Sequence, residues 1–215
     1  MRSLRTIAIP TLALMMAAGV AIADTETYKI DPSHSNVGFS IRHFFSKVPG
    51  KFKTYEGTIT VDPKDLSKTM VDVTIDTASI DTGNGDRDSH LQSSDFFDAA
   101  KFPKITFKST SVTPSGATKA TLKGDLTMHG VTKPVTLEAE VLGFSPDPWG
   151  NFRAGFEAKT KINRQDFGVS WNKVVEGGGS MLSDEVEITI NIEGVRPAPK
   201  AAAPAPPAAA TPKKN

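Results

Sequence analysis

The chain has 215 residues, of which 25 are Lys or Arg, 24 are Asp or Glu and none is Cys. The lack of cysteine excludes disulfides, thiol nucleophiles and Cys-ligated metals. Six of the basic residues and none of the acidic ones lie outside residues 24–195. This central segment therefore carries a formal charge of about −5, which argues against a nucleic acid as the partner.

The first 23 residues show the three parts of a secretory signal peptide. Arg2 and Arg5 precede an apolar run over residues 7–20, and Ala21-Ile22-Ala23 offers small residues at the cleavage positions. The run is shorter than the ~20 apolar residues that span a bilayer, which disfavours a transmembrane anchor. We therefore predict a mature protein that begins at Asp24 and is exported, in a Gram-negative cell to the periplasm.

Residues 24–195 are predicted to form one domain built from alternating strands. In the clearest stretch, from Val135 to Val141, apolar residues occupy every odd position and Thr or Glu every even one. Such alternation is typical of a strand with one buried and one exposed face. The pattern predicts strands at residues 37–43, 54–62, 71–76, 104–112, 120–128, 133–144, 152–162 and 185–193. A series of this kind, with short turns, predicts an antiparallel barrel or sandwich.

The alternation is interrupted between Gly83 and Pro103 and again at the C-terminal end of the chain. A short helical insertion is predicted around residues 86–98, which would plug one barrel end or pack against its wall. Residues 196–215 are nearly all Pro, Ala and Lys, so they have little to bury and are predicted to form a disordered tail.

Side chains with catalytic or metal-binding spacing are hard to find in this sequence. His34, His43, His90 and His129 are scattered and show no metal-ligand spacing. The run 88–90 (Asp-Ser-His) contains the residue types of a hydrolase triad, but neighbours on one helical turn cannot converge on each other. We therefore predict no catalysis, no metal and no cofactor.

Several strings, taken in order, resemble the YceI-like family of bacterial secreted proteins. They are residues 31–35 (DPSHS), 50–52 (GKF), 78–82 (ASIDT), 87–91 (RDSHL), 94–98 (SDFFD), 102–107 (FPKITF), 124–135 (GDLTMHGVTKPV) and 162–168 (INRQDFG). The resemblance covers nearly all of residues 27–195. It implies an all-β, lipocalin-like, eight-stranded antiparallel barrel, often dimeric, that holds a polyisoprenoid or similar long-chain amphiphile in an apolar cavity.

On this interpretation, inward-facing apolar side chains would contact the lipid tail. The candidates are Phe39, Ile41, Phe97, Phe107, Leu126, Leu137, Val141, Phe156, Phe167, Trp171 and Ile188. Polar side chains at the mouth would contact a pyrophosphate or quinone head group. These candidates are Arg42, Arg87, His90 and Arg164, with ion pairing to Asp86, Asp88 or Asp166 as their alternative role.

Small residues such as Gly38, Ala139 and Ala158 interrupt the apolar rows. They would either leave the lumen open or let opposing strands pack tightly, and alternation alone does not decide between the two. The prediction is a lipid carrier with no enzymatic step. The alternatives are an enzyme with an isoprenoid substrate and a solid barrel that serves as a structural or interaction module.

Overall fold

The computed structural model describes residues 25–174 and 179–198. The predicted signal peptide lies outside the described residues, as does the predicted tail from residue 199 onward. The described chain contains one α-helix, α1 (Gly85–Gln92), and eleven strands. The strands are β1 (Glu26–Ile30), β2 (Asn36–His43), β3 (Ser46–Phe52), β4 (Tyr55–Val61), β5 (Met70–Asp76), β6 (Ile80–Asp81), β7 (Lys104–Pro114), β8 (Lys119–Met128), β9 (Val131–Pro146), β10 (Asn151–Asn163) and β11 (Leu182–Pro197).

The strands close into an eight-stranded antiparallel barrel. Hydrogen bonds connect them in the order β1-β4-β5-β7-β8-β9-β10-β11, and pairing of β1 with β11 closes the ring. The remaining strands lengthen three members of this ring. β2 follows β1 alongside β11, β3 pairs with β2, and β6 pairs with β3. Three of the eight barrel strands are thus broken into two segments each. The predicted fold is confirmed.

All eight predicted strands are present, and β1, β3 and β6 were not predicted. β3 was missed because Pro49 and Gly50 lie in its middle, and proline is disfavoured inside a sheet. The structure accommodates Pro49 because β6 pairs only with Lys51 and Phe52, which leaves the first part of β3 paired with β2 alone among the described strands.

The predicted insertion contains a helix that is shorter than expected. Asn84 caps α1 by accepting a hydrogen bond from the Arg87 backbone N–H at 3.0 Å, and Asp86 and Asp88 in the first turn favour the helix dipole. The helix ends at Gln92, and the chain then passes through turns to residue 103.

The barrel has two distinct ends. The first, called here the helix end, carries α1, the β2–β3 turn and the β8–β9 turn. The second, the C-terminal end, carries the β9–β10 turn and the last residues of β11. β11 continues to Pro197, two residues beyond the predicted domain boundary. Arg196 pairs with Phe152 of β10, and its guanidinium packs over the Phe152 ring, 4.4 Å from the centroid.

Candidate functional site

The barrel encloses an apolar cavity of about 430 Å³. The inward-facing residues of the barrel strands form its wall, including Val135, Leu137, Ala139 and Val141 of β9, the residues of the clearest alternating stretch. This volume lies within the ~300–1,000 Å³ range of small-molecule sites. The lumen is therefore hollow, which the alternation of the sequence could not establish.

Two glycines help to keep the lumen open. Phe39 of β2 lies directly opposite Gly50 of β3, and a Cβ atom on Gly50 would be 2.2 Å from the Cζ of the Phe39 ring. Gly124 of β8 lies diagonally across from Phe107, which pairs with Leu126, and a Cβ atom on Gly124 would be 2.4 Å from the Phe107 Cζ. The tip of each ring therefore lies close to a glycine backbone, in the space that the side chain of any larger residue would need.

Polar groups meet the cavity at the helix end. The Arg87 guanidinium donates from Nε to Thr82 Oγ1 at 2.7 Å and from Nη2 to the Thr82 carbonyl at 2.9 Å. His90 donates from Nε2 to Asp95 at 2.8 Å, and its ring contacts Trp171 edge-on at 5.1 Å. Arg87 is exposed and His90 half-buried, and both line the cavity, so this end offers hydrogen-bond donors beside an apolar lumen.

A second apolar cluster packs the C-terminal end of the barrel. Tyr28, Val61, Leu66 and Ala154 are buried there, and Arg196 covers the Tyr28 ring at 5.5 Å. The exposed hydroxyl residue Thr118 of the β7–β8 turn also contributes to the cavity lining at this end.

Ten of the eleven candidate tail-contacting residues line the cavity. They are Phe39, Ile41, Phe97, Phe107, Leu126, Leu137, Val141, Phe156, Trp171 and Ile188. Phe167 does not line it. The Phe167 side chain is buried in the core next to the β8–β9 turn, where its carbonyl accepts a hydrogen bond from His129 Nδ1 at 3.2 Å.

Three of the four head-group candidates line the cavity, and Arg42 does not. Arg87 and His90 line the cavity at the helix end, whereas Arg42 lies on the outer face and donates to the Phe44 carbonyl at 3.3 Å. Neither Arg87 nor Arg164 makes the suggested ion pairs, because Arg87 is bound to Thr82 and the carboxylate near Arg164 is Asp184, at 3.5 Å.

Arg164 lines the cavity but is engaged with the backbone. Its side chain is 4% exposed and donates to the carbonyls of Ser183 (3.0 Å), Val169 (2.7 Å) and Trp171 (2.9 Å). Burial lowers the pKa of this guanidinium, and the Asp184 charge counters part of that effect. Its Nη2 atom has no hydrogen-bond partner among the described residues and almost no accessible surface, so a head group cannot reach it. Arg164 therefore fixes the segment that carries Trp171.

A charged cluster that the sequence analysis did not predict lies where β1, β10 and β11 meet. Asp31, His34 and Glu193 place ligand-type atoms within 4.8 Å of one another. Arg153 Nη1 already contacts Asp31 at 2.9 Å and also contacts Glu193, so a cation occupies the position that a metal ion would need. Hydrogen bonds from His34 and Arg153 lower the pKa of Asp31 to about 2. Their separation along the chain hid these partners from sequence analysis.

No helix in residues 25–174 and 179–198 combines the length and the apolar character needed to cross a bilayer. Residues 28–194 match the family model of the YceI-like domain. Protein YceI of Escherichia coli O157:H7 is 46% identical over 186 residues, which cover 85% of this chain and 93% of that protein.

Solved structures of several other proteins share the fold. BcnA of Burkholderia cenocepacia aligns with a TM-score of 0.67 and 27% identity, over 76% of this chain and 98% of BcnA. A polyisoprenoid binding domain from Saccharophagus degradans, implicated in plant cell wall breakdown, aligns with a TM-score of 0.59 and 16% identity, over 80% of this chain and 98% of that domain.

Proposed function

Because the chain belongs to the YceI-like family, we propose that it is a periplasmic carrier that holds a polyisoprenoid or similar long-chain amphiphile inside its barrel, without an enzymatic step. The observation that carries this proposal is the hollow apolar lumen of about 430 Å³. An isoprenoid quinone, a polyprenyl phosphate and a fatty amide all have the apolar chain that such a lumen would bury.

The physical chemistry of the lumen favours an apolar chain as its ligand. Each buried CH₂ group contributes ~0.8 kcal/mol, so ten chain carbons would contribute ~8 kcal/mol before the cost of association. The wall offers few polar partners, so the length and width of the lumen would select the chain. The S. degradans domain binds polyisoprenoid, but at 16% identity it supports the fold, and the ligand class proposed here rests on the cavity.

We place the head group at the helix end. Arg87 and His90 line the cavity there and are accessible, whereas Arg164 is already bound to three carbonyls. A phosphate, quinone or amide oxygen at this end could accept hydrogen bonds from these side chains while the chain lies in the lumen. Export to the periplasm is part of the proposal and rests on the signal peptide pattern of residues 1–23.

The test is to purify the protein from its native compartment and to combine native mass spectrometry with organic extraction. We expect one prenyl or acyl chain for each subunit, and the same spectra report whether the protein is the dimer that the family resemblance implies. A protein that is empty and also fails to take up added ubiquinone would contradict the proposal. That result would favour the structural or interaction module instead.

A variant that fills the lumen provides a second test, and the same substitution outside the barrel is its matched control. Ala158 lines the cavity opposite Ala139 of β9, so Ala158→Phe would place a ring in the space assigned to the lipid. We expect ubiquinone uptake to fall at least tenfold. Ala117→Phe, on the exposed β7–β8 turn, adds the same ring outside the barrel and should leave uptake unchanged.

A further inference from the structure

The turn between β2 and β3 carries two aromatic residues where its backbone favours glycine or asparagine. His43 pairs with Ser46, so Phe44 and Phe45 form a two-residue hairpin loop, and Phe44 has a φ of 49°. Such loops need positive φ and are usually built from Asn-Gly or Gly-X. A bulky residue with positive φ is strained, and backbone strain of this kind often accompanies a functional requirement.

The β8–β9 turn of the same barrel follows the usual rule. Met128 pairs with Val131, and the loop His129-Gly130 has φ values of 52° and 75°. The His129 ring there is packed, with its centroid 4.7 Å from that of Phe102. The contrast shows that a two-residue turn of this fold does not require two phenylalanines.

The core gains little from the phenylalanines of the β2–β3 turn. The Phe45 side chain is fully exposed, Phe44 is 38% exposed, and neighbouring Val174 is 84% exposed. Phe44 packs on the ring of His43, whose centroid is 4.8 Å away. A strained turn that presents apolar side chains to solvent points to a contact with something outside the molecule.

The turn is also continuous with the cavity. The Phe44 N–H donates to the Met181 carbonyl at 2.9 Å. Met181, Leu182, His43 and Val48 all line the cavity and are half-buried, so an apolar path leads from the turn to the lumen. The partner of this surface would therefore meet the helix end of the proposed lipid site.

The charges beside the turn favour a phosphate-bearing surface. Arg42 and Lys173 are exposed, and neither has a carboxylate within 4 Å among the described residues. Exposed aromatic side chains flanked by cations are typical of proteins that attach to the headgroup region of a bilayer. A second copy fits less well, because a symmetric contact centred on Phe45 would bring the cations of both copies together.

We propose that the Phe44–Phe45 turn is a membrane-docking tip. Both rings insert into the headgroup region of a lipid bilayer, and Arg42 and Lys173 contact lipid phosphates. The cavity mouth then faces the membrane, and a lipid chain passes between bilayer and lumen along the surface of Met181 and Leu182. The docking step adds to the proposed function, but it does not depend on what fills the lumen.

The experiment is flotation of the full-length mature protein with vesicles of phosphatidylethanolamine and phosphatidylglycerol. The decisive variant is Phe44→Asn/Phe45→Gly, which suits the two-residue turn and should fold at least as stably as the wild type. We expect its vesicle binding to be at least tenfold weaker while its uptake of short-chain ubiquinone from solution is unchanged. Trp149→Ser, which removes the 78% exposed aromatic at the C-terminal end, should bind vesicles like the wild type.

Three results would overturn the proposal. The first is a wild type that does not float with the vesicles, and the second is a double variant that floats as well as the wild type. The third is a double variant whose oligomeric state differs from that of the wild type. The last result would assign the turn to a second copy of the chain. Vesicle binding without ubiquinone uptake would contradict the lipid carrier and support the docking tip, so the two proposals can fail separately.

Discussion

The substitution Gly50→Ala tests whether glycine on the barrel wall holds an aromatic ring out of the lumen. The added methyl group would lie 2.2 Å from Phe39 Cζ and 2.8 Å from both Cε atoms. No real contact is this short, so the ring must rotate away from the wall. The space available to it is the cavity that both neighbouring strands enclose.

Two opposing effects determine how much Gly50→Ala changes the free energy of unfolding. Overpacking of this kind costs ~1–3 kcal/mol, whereas replacing a strand glycine by alanine gains ~0.5–1 kcal/mol from the smaller backbone entropy of the unfolded chain. The steric term is larger, so we expect the free energy of unfolding to fall by ~0.5–2 kcal/mol. In a Phe39→Ala background the clash is absent, and the same substitution should raise the free energy of unfolding by ~0.5–1 kcal/mol.

The assay is urea denaturation of four proteins, the wild type, both single variants and the double variant, together with ubiquinone uptake. We expect Gly50→Ala to weaken uptake because the displaced ring narrows the lumen. Gly116→Ala is the matched control, because a Cβ atom there meets nothing within 4 Å. If Gly50→Ala had the same effect on stability with and without Phe39, the ring would not be what the glycine accommodates, and the reasoning would be refuted.

Two further predictions concern the charged groups at either end of the barrel. Arg164→Met leaves three carbonyls without their hydrogen-bond donor. Each unpaired buried acceptor costs ~1–3 kcal/mol, so urea denaturation should show a free energy of unfolding lower by at least ~3 kcal/mol. Arg164→Lys should lower it less. Asp31 has a folded pKa of about 2 against an ordinary value of 3.8, so its charge stabilises the fold above pH 3.8 and this contribution disappears as the pH falls through about 2. Asp31→Asn should therefore be destabilised relative to the wild type at pH 7, the difference should shrink as the pH falls through about 2, and a difference that stays as large at pH 2 as at pH 7 would contradict this assignment.

The strands that could be predicted are long ones in which apolar and polar residues alternate clearly, whereas β1, β3 and β6 were missed. β9 and β10 keep a strict alternation because one face meets the lumen and the other meets solvent along most of their length. β3 could not be predicted, because its first part has one strand neighbour and so tolerates Pro49. β6 is two residues long and too short to show any period.

The composition of the site was predictable and its openness was not. Leu126 and Ile188 could be identified as lining residues, because alternate residues of a strand face the same side and this alternation can be seen in the sequence. Whether Phe39 fills the lumen or lies against its wall depends on the residue opposite, and that pairing follows from the register with β3. The role of Arg164 was equally hidden, because its carbonyl partners are loop and strand-end backbone groups without a sequence signature.

The two ends of the barrel differ in how firmly their segments are held. At the C-terminal end, Arg153 joins Asp31, Asp147 and Glu193 across strands, and these hydrogen bonds raise the pKa of its guanidinium, so the charges hold the strands together. At the helix end, Phe96, Phe167 and Arg164 are buried, but the first part of β3 pairs with β2 alone among the described strands, and α1 buries none of its residues. Segments with few buried contacts open at a lower free energy than a tightly bonded wall. A chain that enters or leaves the lumen would therefore pass the helix end, where the polar groups and the exposed aromatic turn also lie.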